Sequence, residues 1–268
     1  MANYIKVEVK LTEMQDKEIL LALLAEQGFD GFEETAQSLL AYIPEEQYNQ
    51  ASLSTLLQDK DYSLEKIWEQ NWNALWEKDF KPVAVNHFCY IRAVFHPPAE
   101  GYQQDIVITP KMSFGTGHHA TTWLVIDQME ALSFQNQNVL DFGTGTGILA
   151  ILAERLGAAT VVAVDNDDWS MENAKENAKV NNCRTIEFIQ ADSLTIGRTF
   201  GIILANINRH VLLANMKSME QHLASDGVLI LSGLLSGDLD IMEKSALNEG
   251  LHIVQQKEKD GWMVLKLA

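Results

Sequence analysis

Cationic residues are scarce in this sequence, and arginine is absent before Arg92. The 268 residues include 20 Lys and Arg against 37 Asp and Glu, which gives a net charge of −17. A surface this acidic repels a phosphate backbone, so we expect no direct nucleic-acid partner. Residues 1–80 hold 16 acidic and 6 basic residues, or −10 of that charge. Such an acidic N-terminal segment would attract a basic partner, although a solvated surface that keeps the protein soluble explains the same charge.

Long apolar runs and secretion signals are also lacking. No apolar stretch is long enough to cross a bilayer, and the N-terminus has no basic start followed by an apolar core. Cys89 and Cys183 are the only cysteines and form no C-x-x-C pair. We therefore expect a soluble cytoplasmic protein with no membrane partner and with both thiols buried in a reducing compartment.

No Gly-Lys-Ser/Thr sequence follows a glycine loop, which excludes a nucleoside-triphosphate loop. Residues 139–147 instead read Val-Leu-Asp-Phe-Gly-Thr-Gly-Thr-Gly, with Asp141 at the end of an apolar run. A helical run and a second apolar run follow, and the second run ends at Asp165, 24 residues after Asp141. This order predicts a strand, a glycine turn, a helix and a strand, with a ligand at the carboxyl edge of a parallel sheet.

The two acids and the glycines favour a cofactor that contains a nucleoside. Asp165 is expected to accept hydrogen bonds from both ribose hydroxyls. Asp141 is expected either to orient the loop or to receive an amino group through water. Asp192 ends the next predicted strand, where it either accepts from an adenine amino group or is a loop acid. The G-x-G-x-G spacing differs from the G-x-G-x-x-G fingerprint of dinucleotide sites.

With Asp165 downstream, the Asp-x-Gly-x-Gly-x-Gly pattern resembles the class I S-adenosylmethionine methyltransferases. The resemblance implies S-adenosylmethionine as the cofactor, with Gly143, Gly145 and Gly147 leaving room for its aminoacyl part. No metal site is expected. The adjacent side chains of His118 and His119 diverge, and no further ligand lies at a suitable spacing.

Hydrophobic periodicity divides the chain into three segments. Residues 1–58 read β-α-β-β-α, which predicts a small α+β domain with a ferredoxin-like fold. Residues 59–80 are predicted to be a linker helix, with Trp68, Trp72 and Trp76 on one face. That face is expected to pack on a neighbouring domain, and a base-stacking or peptide-binding stripe is the alternative. Residues 81–268 are predicted to be the methyltransferase domain, entered through a strand within residues 81–97.

From about residue 100 predicted strands alternate with helices. The strands cover residues 137–141, 160–165, 185–190, 200–206 and 227–232, with helices at 148–156, 169–180, 209–223 and 238–248 and a terminal hairpin at 251–257 and 262–267. The fold class that the methyltransferase resemblance implies is α/β, a doubly wound Rossmann-like sheet ending in an antiparallel hairpin.

A second glycine motif, Phe114-Gly115-Thr116-Gly117-His118-His119-Ala120-Thr121-Thr122, forms a loop that can close over a ligand. Together with Asp-x-Gly-x-Gly-x-Gly-Ile-Leu-Ala and Leu-Ala-Asn-Ile, it closely resembles the bacterial methyltransferases that modify large-subunit ribosomal protein L11. The acidic front domain and the Trp-rich connecting segment from Asn71 to Pro82 also match that family. The resemblance therefore covers nearly the whole chain.

This resemblance assigns site residues. It implies that the cofactor is bound by the following residues: Phe114, Gly115, Thr116, Gly117, Thr122, Gly143, Asp165 and Asn206. Asn206 is also the expected catalytic residue, because nitrogen methyltransferases often carry Asn-Pro-Pro-aromatic at this point and the asparagine accepts a hydrogen bond from the target nitrogen. Asn206-Ile207-Asn208-Arg209 lacks the prolines and the aromatic, which favours a flexible primary amine. Other members carry threonine where this chain has His118, so the role of His118 stays open.

The implied function is a protein N-methyltransferase that transfers methyl groups from S-adenosylmethionine to lysine or α-amino nitrogens of ribosomal protein L11. Residues 1–58 would recognise the substrate, and we expect the enzyme to be a monomer. Two alternatives remain. One is a methyltransferase for another basic protein or a small amine, and the other is a catalytically silent cofactor-binding module.

Overall fold

The computed structural model describes residues 4–10, 16–29, 31–35, 38–67, 80–109 and 115–268. Phe114 and the three tryptophans of the predicted linker helix lie outside these residues. The chain forms two compact units, Met1–Asp79 and Phe80–Ala268. Within the described residues, no helix combines the length and apolarity that a membrane span requires.

The N-terminal unit has the ferredoxin-like fold that the sequence predicts. Its elements are β1 (Tyr4–Lys10), α1 (Asp16–Glu26), β2 (Gly31–Glu34), β3 (Ser38–Pro44), α2 (Gln50–Leu56) and β4 (Tyr62–Ile67). The sheet order is β2-β3-β1-β4, and all neighbouring strands are antiparallel. Ile5, Val7 and Val9 alternate along β1 and point into the core, because successive side chains of a strand face opposite sides.

The predicted linker helix is wrong over Tyr62–Ile67, which form β4. This strand pairs with β1, from Tyr62 opposite Val9 to Ile67 opposite Tyr4. The helical spacing of the downstream tryptophans does not extend back to this segment, where pairing with the exposed edge of β1 determines the structure. The N-terminal unit therefore continues past residue 58. In the preceding helix, Asn49 accepts hydrogen bonds from the backbone N–H groups of Ala51 and Ser52 and starts α2 at Gln50.

The second unit begins with a three-stranded sheet that replaces the single strand predicted over residues 81–97. Its strands are β5 (Val83–Val85), β6 (Cys89–Arg92) and β7 (Gln104–Val107), in the order β5-β6-β7. Asn86 adopts a left-handed conformation with φ 50°, which asparagine tolerates, and turns the chain between β5 and β6. The parallel strands β6 and β7 are held together by the Arg92–Asp105 ion pair, at 2.8 Å between Nε and Oδ1.

The main sheet has seven strands. The remaining elements are α3 (Ala120–Glu130), β8 (Asn138–Phe142), α4 (Ile148–Arg155), β9 (Thr160–Asp165), α5 (Asp168–Val180), β10 (Ile186–Gln190), β11 (Phe200–Asn206), α6 (Arg209–His222), β12 (Leu223–Leu235), α7 (Leu239–Asn248), β13 (Ile253–Lys259) and β14 (Trp262–Leu267). Their order is β10-β9-β8-β11-β12-β14-β13. The first five of these strands are parallel, and β14 and β13 form an antiparallel terminal hairpin. This confirms the predicted fold class.

Helices cover both faces of this sheet. Val139 and Leu204 belong to the core cluster that includes residues of α3 and α4, whereas Leu140 and Ile203 belong to the cluster that includes residues of α6 and α7. The central strands β8 and β11 consist mainly of apolar residues because both faces are buried. The sheet order reverses at β8, which lies between β9 and β11. In such sheets, ligands bind at the carboxyl ends of the strands at this point.

Candidate functional site

A cleft of about 560 Å³ opens at the carboxyl ends of the parallel strands, a size typical of small-molecule sites. Predicted site residues from four chain segments meet in it, namely Gly143, Gly145, Asp165, Asp192 and Asn206. The rest of its lining is His119, Thr121, Phe142, Asn166, Ser170, Ala191, Ile207, Asn208, Val211, Gly233 and Trp262.

The glycine loop needs glycine for its conformation and for its close packing. Gly143, Gly145 and Gly147 all have positive φ, at 80°, 54° and 81°. The N–H groups of Gly143 and Thr144 both donate to the carbonyl of Val164, at 2.8 and 2.9 Å, and hold the loop to the end of β9. A Cβ on Gly147 would lie 3.1 Å from the Cα of Ala174, so this glycine lets α4 start against α5. Gly143 and Gly145 line the cleft, and Gly147 lies behind it.

Asp141 is fully buried beneath the loop and does not line the cleft. Its Oδ2 accepts a hydrogen bond from the Thr144 hydroxyl at 2.6 Å and one from the Ala150 N–H at 3.1 Å. Burial raises the pKa of this carboxyl to about 7, although these two hydrogen bonds act to lower it. The contacts match the loop-orienting alternative of the two roles considered for Asp141.

Asp165 lies at the tip of β9 and faces the cleft. Its Oδ2 accepts from the Gly145 N–H at 2.9 Å, and its Oδ1 accepts from the Asp167 N–H at 3.1 Å. A carboxylate has about four acceptor positions, so each oxygen keeps a lone pair for a ligand hydroxyl. Asp192 lies across the cleft edge after β10, where its side chain is exposed.

Asn206 ends β11 and is 8% exposed. Its Nδ2 donates to the Thr122 hydroxyl at 3.2 Å, and Thr122 is itself fully buried. Among the described residues, nothing donates to the Asn206 Oδ1, although this oxygen is buried. An unpaired buried acceptor is costly unless an arriving group satisfies it. Thr122 fixes Asn206 from behind and is not part of the cleft lining.

The loop containing Gly115, Thr116 and Gly117 borders the glycine loop without lining the cleft. The Thr146 hydroxyl donates to the Gly115 carbonyl at 2.7 Å. Beyond the loop, the Nε2 of His118 lies 2.8 Å from the carbonyl oxygen of Lys81. Because a carbonyl only accepts, Nε2 is the protonated nitrogen, and Nδ1 lies 3.1 Å from the Thr116 hydroxyl. His118 thus connects this loop to the start of the second unit.

Several lining residues were not predicted as site residues. His119 caps α3 by accepting from the Thr121 N–H at 3.3 Å, and its ring contacts Trp262 edge to face at a centroid distance of 4.6 Å. Trp262 reaches the cleft because β14 pairs with β12, with Trp262 opposite Leu235. Gly233 faces the Ile207 backbone from a bulge in β12. His119 lies in the second glycine motif, but the roles of Trp262 and Gly233 depend on strand order, which no local pattern contains.

The cleft suits S-adenosylmethionine. Asp165 lines the cleft with a carboxylate of the kind that accepts from a ribose diol, and Gly143 and Gly145 leave backbone space beside it. The Asn206 Oδ1, which has no donor among the described residues, is free to accept an N–H, and the walls also include the apolar side chains of Phe142, Ile207, Val211 and Trp262. This fold and site define a class I methyltransferase.

Comparison with known proteins identifies the family. Residues 4–268 match the family described as "Ribosomal protein L11 methyltransferase (PrmA)". The ribosomal protein L11 methyltransferase of Porphyromonas gingivalis is 37% identical over 283 residues, covering 99% of this chain and 98% of that protein. The protein of the same name from Bacteroides thetaiotaomicron is 36% identical, covering 94% and 93%. The chain belongs to the ribosomal protein L11 methyltransferase family.

Solved structures agree with this assignment. The crystal structure of ribosomal protein L11 methylase from Lactobacillus delbrueckii subsp. bulgaricus has a TM-score of 0.66 and 30% identity, covering 70% of this chain and 98% of that one. A methyltransferase from Pyrococcus furiosus, at 16% identity and a TM-score of 0.51, shares the fold alone. The protein is an S-adenosylmethionine-dependent methyltransferase, which confirms the predicted enzyme class and cofactor.

Proposed function

We propose that this enzyme methylates amino nitrogens of ribosomal protein L11, on lysine side chains or the α-amino group. Family membership supplies the substrate. The proposed chemistry depends on the environment of the Asn206 side chain. Its buried Oδ1 has no partner among the described residues and lies at the end of β11, beside the glycine loop. The same site could methylate another amine, so the experiment must test the identity of the acceptor.

When bound, S-adenosylmethionine supplies an electrophilic methyl group on a sulfonium. The work of the chain is to present a nitrogen lone pair to that group. The Asn206 Oδ1 would accept an N–H of the target amine, and the Thr122 hydroxyl holds the asparagine in this orientation from behind. Alignment of this kind converts a bimolecular encounter into a positioned reaction and supplies most of the rate.

The amine must also lose its proton. A lysine with a pKa of about 10.4 is neutral in roughly one part in 2,500 at pH 7, which corresponds to about 4.6 kcal/mol. Asn206 cannot act as the base. The apolar side chains of Phe142, Ile207, Val211 and Trp262 in the cleft instead lower the pKa of an entering ammonium by removing it from water.

We assign substrate recognition to the N-terminal unit. Residues 1–79 contain 16 acidic and 6 basic residues, a net charge of −10, which favours a basic protein over a small amine. Ribosomal proteins that bind RNA are typically basic, which supports this pairing. We also propose that the enzyme is a cytoplasmic monomer that does not contact nucleic acid directly. The net charge of −17 supports the last point.

The test is methyl transfer from labelled cofactor to purified ribosomal protein L11, to other basic ribosomal proteins and to free lysine, with products read by mass spectrometry. We expect L11 to be labelled on amino nitrogens well ahead of the others. Equal labelling of several basic proteins, or of free lysine alone, would favour the alternative acceptors. Cofactor binding without any transfer would indicate a silent module.

The variant Asn206→Ala tests the chemistry separately. Loss of one oriented hydrogen-bonding group in a water-excluded site typically lowers the rate by about 100-fold or more. We expect the single-turnover rate to fall by that factor and cofactor affinity to fall much less. Equal losses in rate and affinity would make Asn206 a cofactor contact instead.

A further inference from the structure

Three buried asparagines lie on one face of α5 and its C-cap. Asn173, Asn177 and Asn181 are spaced four residues apart and are 0%, 0% and 8% exposed. Asparagine is a poor residue for a helix interior, and burying an amide is costly unless its groups are hydrogen-bonded. Leucines at these three positions would stabilise a buried helix face better than asparagines do. We therefore look to the hydrogen bonds of the asparagines for the reason that they are there.

Asn177 connects the glycine loop to the segment that follows β7. Its Nδ2 donates to the carbonyl of Thr146 in the glycine loop at 2.8 Å. Its Oδ1 accepts from the N–H of Thr109 at 2.8 Å, where the chain runs from β7 toward the second glycine motif. The Oδ1 of Asn173 accepts from the same Nδ2 at 2.8 Å, which fixes the orientation of the Asn177 amide.

Asn181 makes the same kind of contact without reaching the glycine loop. Its Oδ1 accepts from the Val107 N–H at 3.0 Å, and its Nδ2 donates to the Val107 carbonyl at 2.7 Å. Asn177 and Asn181 therefore hold alternate residues of one extended segment, as a neighbouring strand would. Of the two, only Asn177 is bonded to the glycine loop.

We infer that Asn177 is a positioning residue for the cofactor, setting the glycine loop at a fixed distance from the chain that leads to the second glycine motif. The two motifs also meet directly, because the Thr146 hydroxyl donates to the Gly115 carbonyl at 2.7 Å. The backbone carbonyl of Thr146 thus accepts a hydrogen bond from Asn177, and the side chain of Thr146 donates one to Gly115. Release of the carbonyl would let Thr146 and Gly115 shift away from the cleft together.

The test compares Asn177→Ala with the matched control Asn181→Ala. Both remove a buried amide from the same helix face, so both should lower the melting temperature of the cofactor-free enzyme. By calorimetry, we expect the Kd for S-adenosylmethionine to rise about ten-fold in N177A and to stay within about two-fold in N181A. If N177A does not fold, N177S, which leaves a smaller gap, takes its place.

A second readout needs no cofactor. Amide hydrogen exchange should accelerate at Thr109, Gly145–Gly147 and Gly115–Gly117 in N177A, and at Val107 without a change in either glycine motif in N181A. Thr146→Val removes the hydroxyl bond to Gly115, and because both variants act through Thr146, the double variant should lose less affinity than the sum of the two. Unchanged cofactor affinity in a folded Asn177 variant, or an equal loss in N181A, would overturn the inference. Neither result depends on whether L11 is the substrate.

Discussion

Two carboxylates at the ends of neighbouring strands have opposite surroundings. Asp141 is enclosed beneath the glycine loop and bonds the Thr144 hydroxyl and the Ala150 N–H, whereas Asp165 lines the cleft. Burial raises the pKa of Asp141 to about 7, so this side chain is largely neutral in mildly acidic solution. Asp165 is therefore the acid that can offer its oxygens to a ligand, and Asp141 maintains the loop.

Asp165→Ala should weaken cofactor binding without unfolding the protein. Loss of hydrogen bonds to a charged acceptor, roughly 1.5–3 kcal/mol, corresponds to about one to two orders of magnitude in Kd. The control is Asp167→Ala, which removes the N-cap bond to the Ser170 N–H at 2.8 Å but leaves every side chain of the cleft lining in place. Calorimetry should show normal affinity in D167A, and normal affinity in folded D165A would exclude the ribose role.

Asp141→Asn should change how stability depends on pH. The unfolded carboxyl ionises near its ordinary pKa of 3.8 and the folded one near 7. Between these values the folded state binds more protons, so this group makes stability fall as pH rises from about 4 to 7, and the loss then stays constant. At 1.36 kcal/mol per pKa unit, the contribution is at most roughly 4 kcal/mol.

Urea denaturation at pH 4 to 8 measures this effect. Asparagine does not titrate, so D141N should show a flatter pH profile than the wild type and should gain relative stability above pH 7. Parallel profiles for the two proteins would mean that Asp141 keeps an ordinary pKa in the folded state.

At the scale of elements, the end of β11 depends on a bulge in β12. Gly233 sits at this bulge with φ 86°, and a Cβ there would lie 2.1 Å from the carbonyl oxygen of Ile207. Gly233→Ala should therefore displace the Asn206–Asn208 turn and destabilise the protein by about 2–4 kcal/mol. Gly237→Ala is the control, since Gly237 has open space around its Cβ position. A similar midpoint of denaturation in both variants would show that the turn tolerates the extra methyl group.

The sequence predicted those elements whose signals are local. Thr160–Asp165, Phe200–Asn206 and Trp262–Leu267 have the predicted bounds, because apolar runs and flanking turn residues mark their ends. The strand at Tyr62–Ile67 was missed because it is stabilised by pairing with β1, more than fifty residues earlier in the chain. The same distinction between local signals and long-range pairing applies to the residues of the site. Acids and glycines at strand ends were predicted, while Trp262 and Gly233 enter the cleft through the pairing of β12 with β14.

Most of the net negative charge and the residues of the candidate site lie in different units of the molecule. Residues 1–79 carry −10 of the net charge in 79 residues, and the remaining 189 carry −7. The cleft, the glycine loop and Asn206 all belong to Phe80–Ala268. That unit has its own core on both faces of the main sheet, and such a unit is expected to fold alone.

Deletion of residues 1–79 should therefore separate cofactor binding from substrate choice. The deletion must include β4, because a cut at residue 58 would leave this strand without its β1 partner. We expect the truncated enzyme to bind S-adenosylmethionine with normal affinity and to methylate ribosomal protein L11 poorly. Free lysine, which has no protein surface to recognise, should be methylated at the same low rate by both forms.

The salt dependence of the methylation rate tests whether substrate recognition and methyl transfer belong to different units. Attraction between an acidic unit and a basic protein is screened over about 8 Å at physiological ionic strength, so the rate of the full-length enzyme with L11 should fall as salt is added. The truncated enzyme has lost the more densely charged unit, and its slower rate should depend on salt less. If truncation leaves L11 methylation and its salt dependence intact, the N-terminal unit does not recognise the substrate, and the acceptor is selected by the cleft itself.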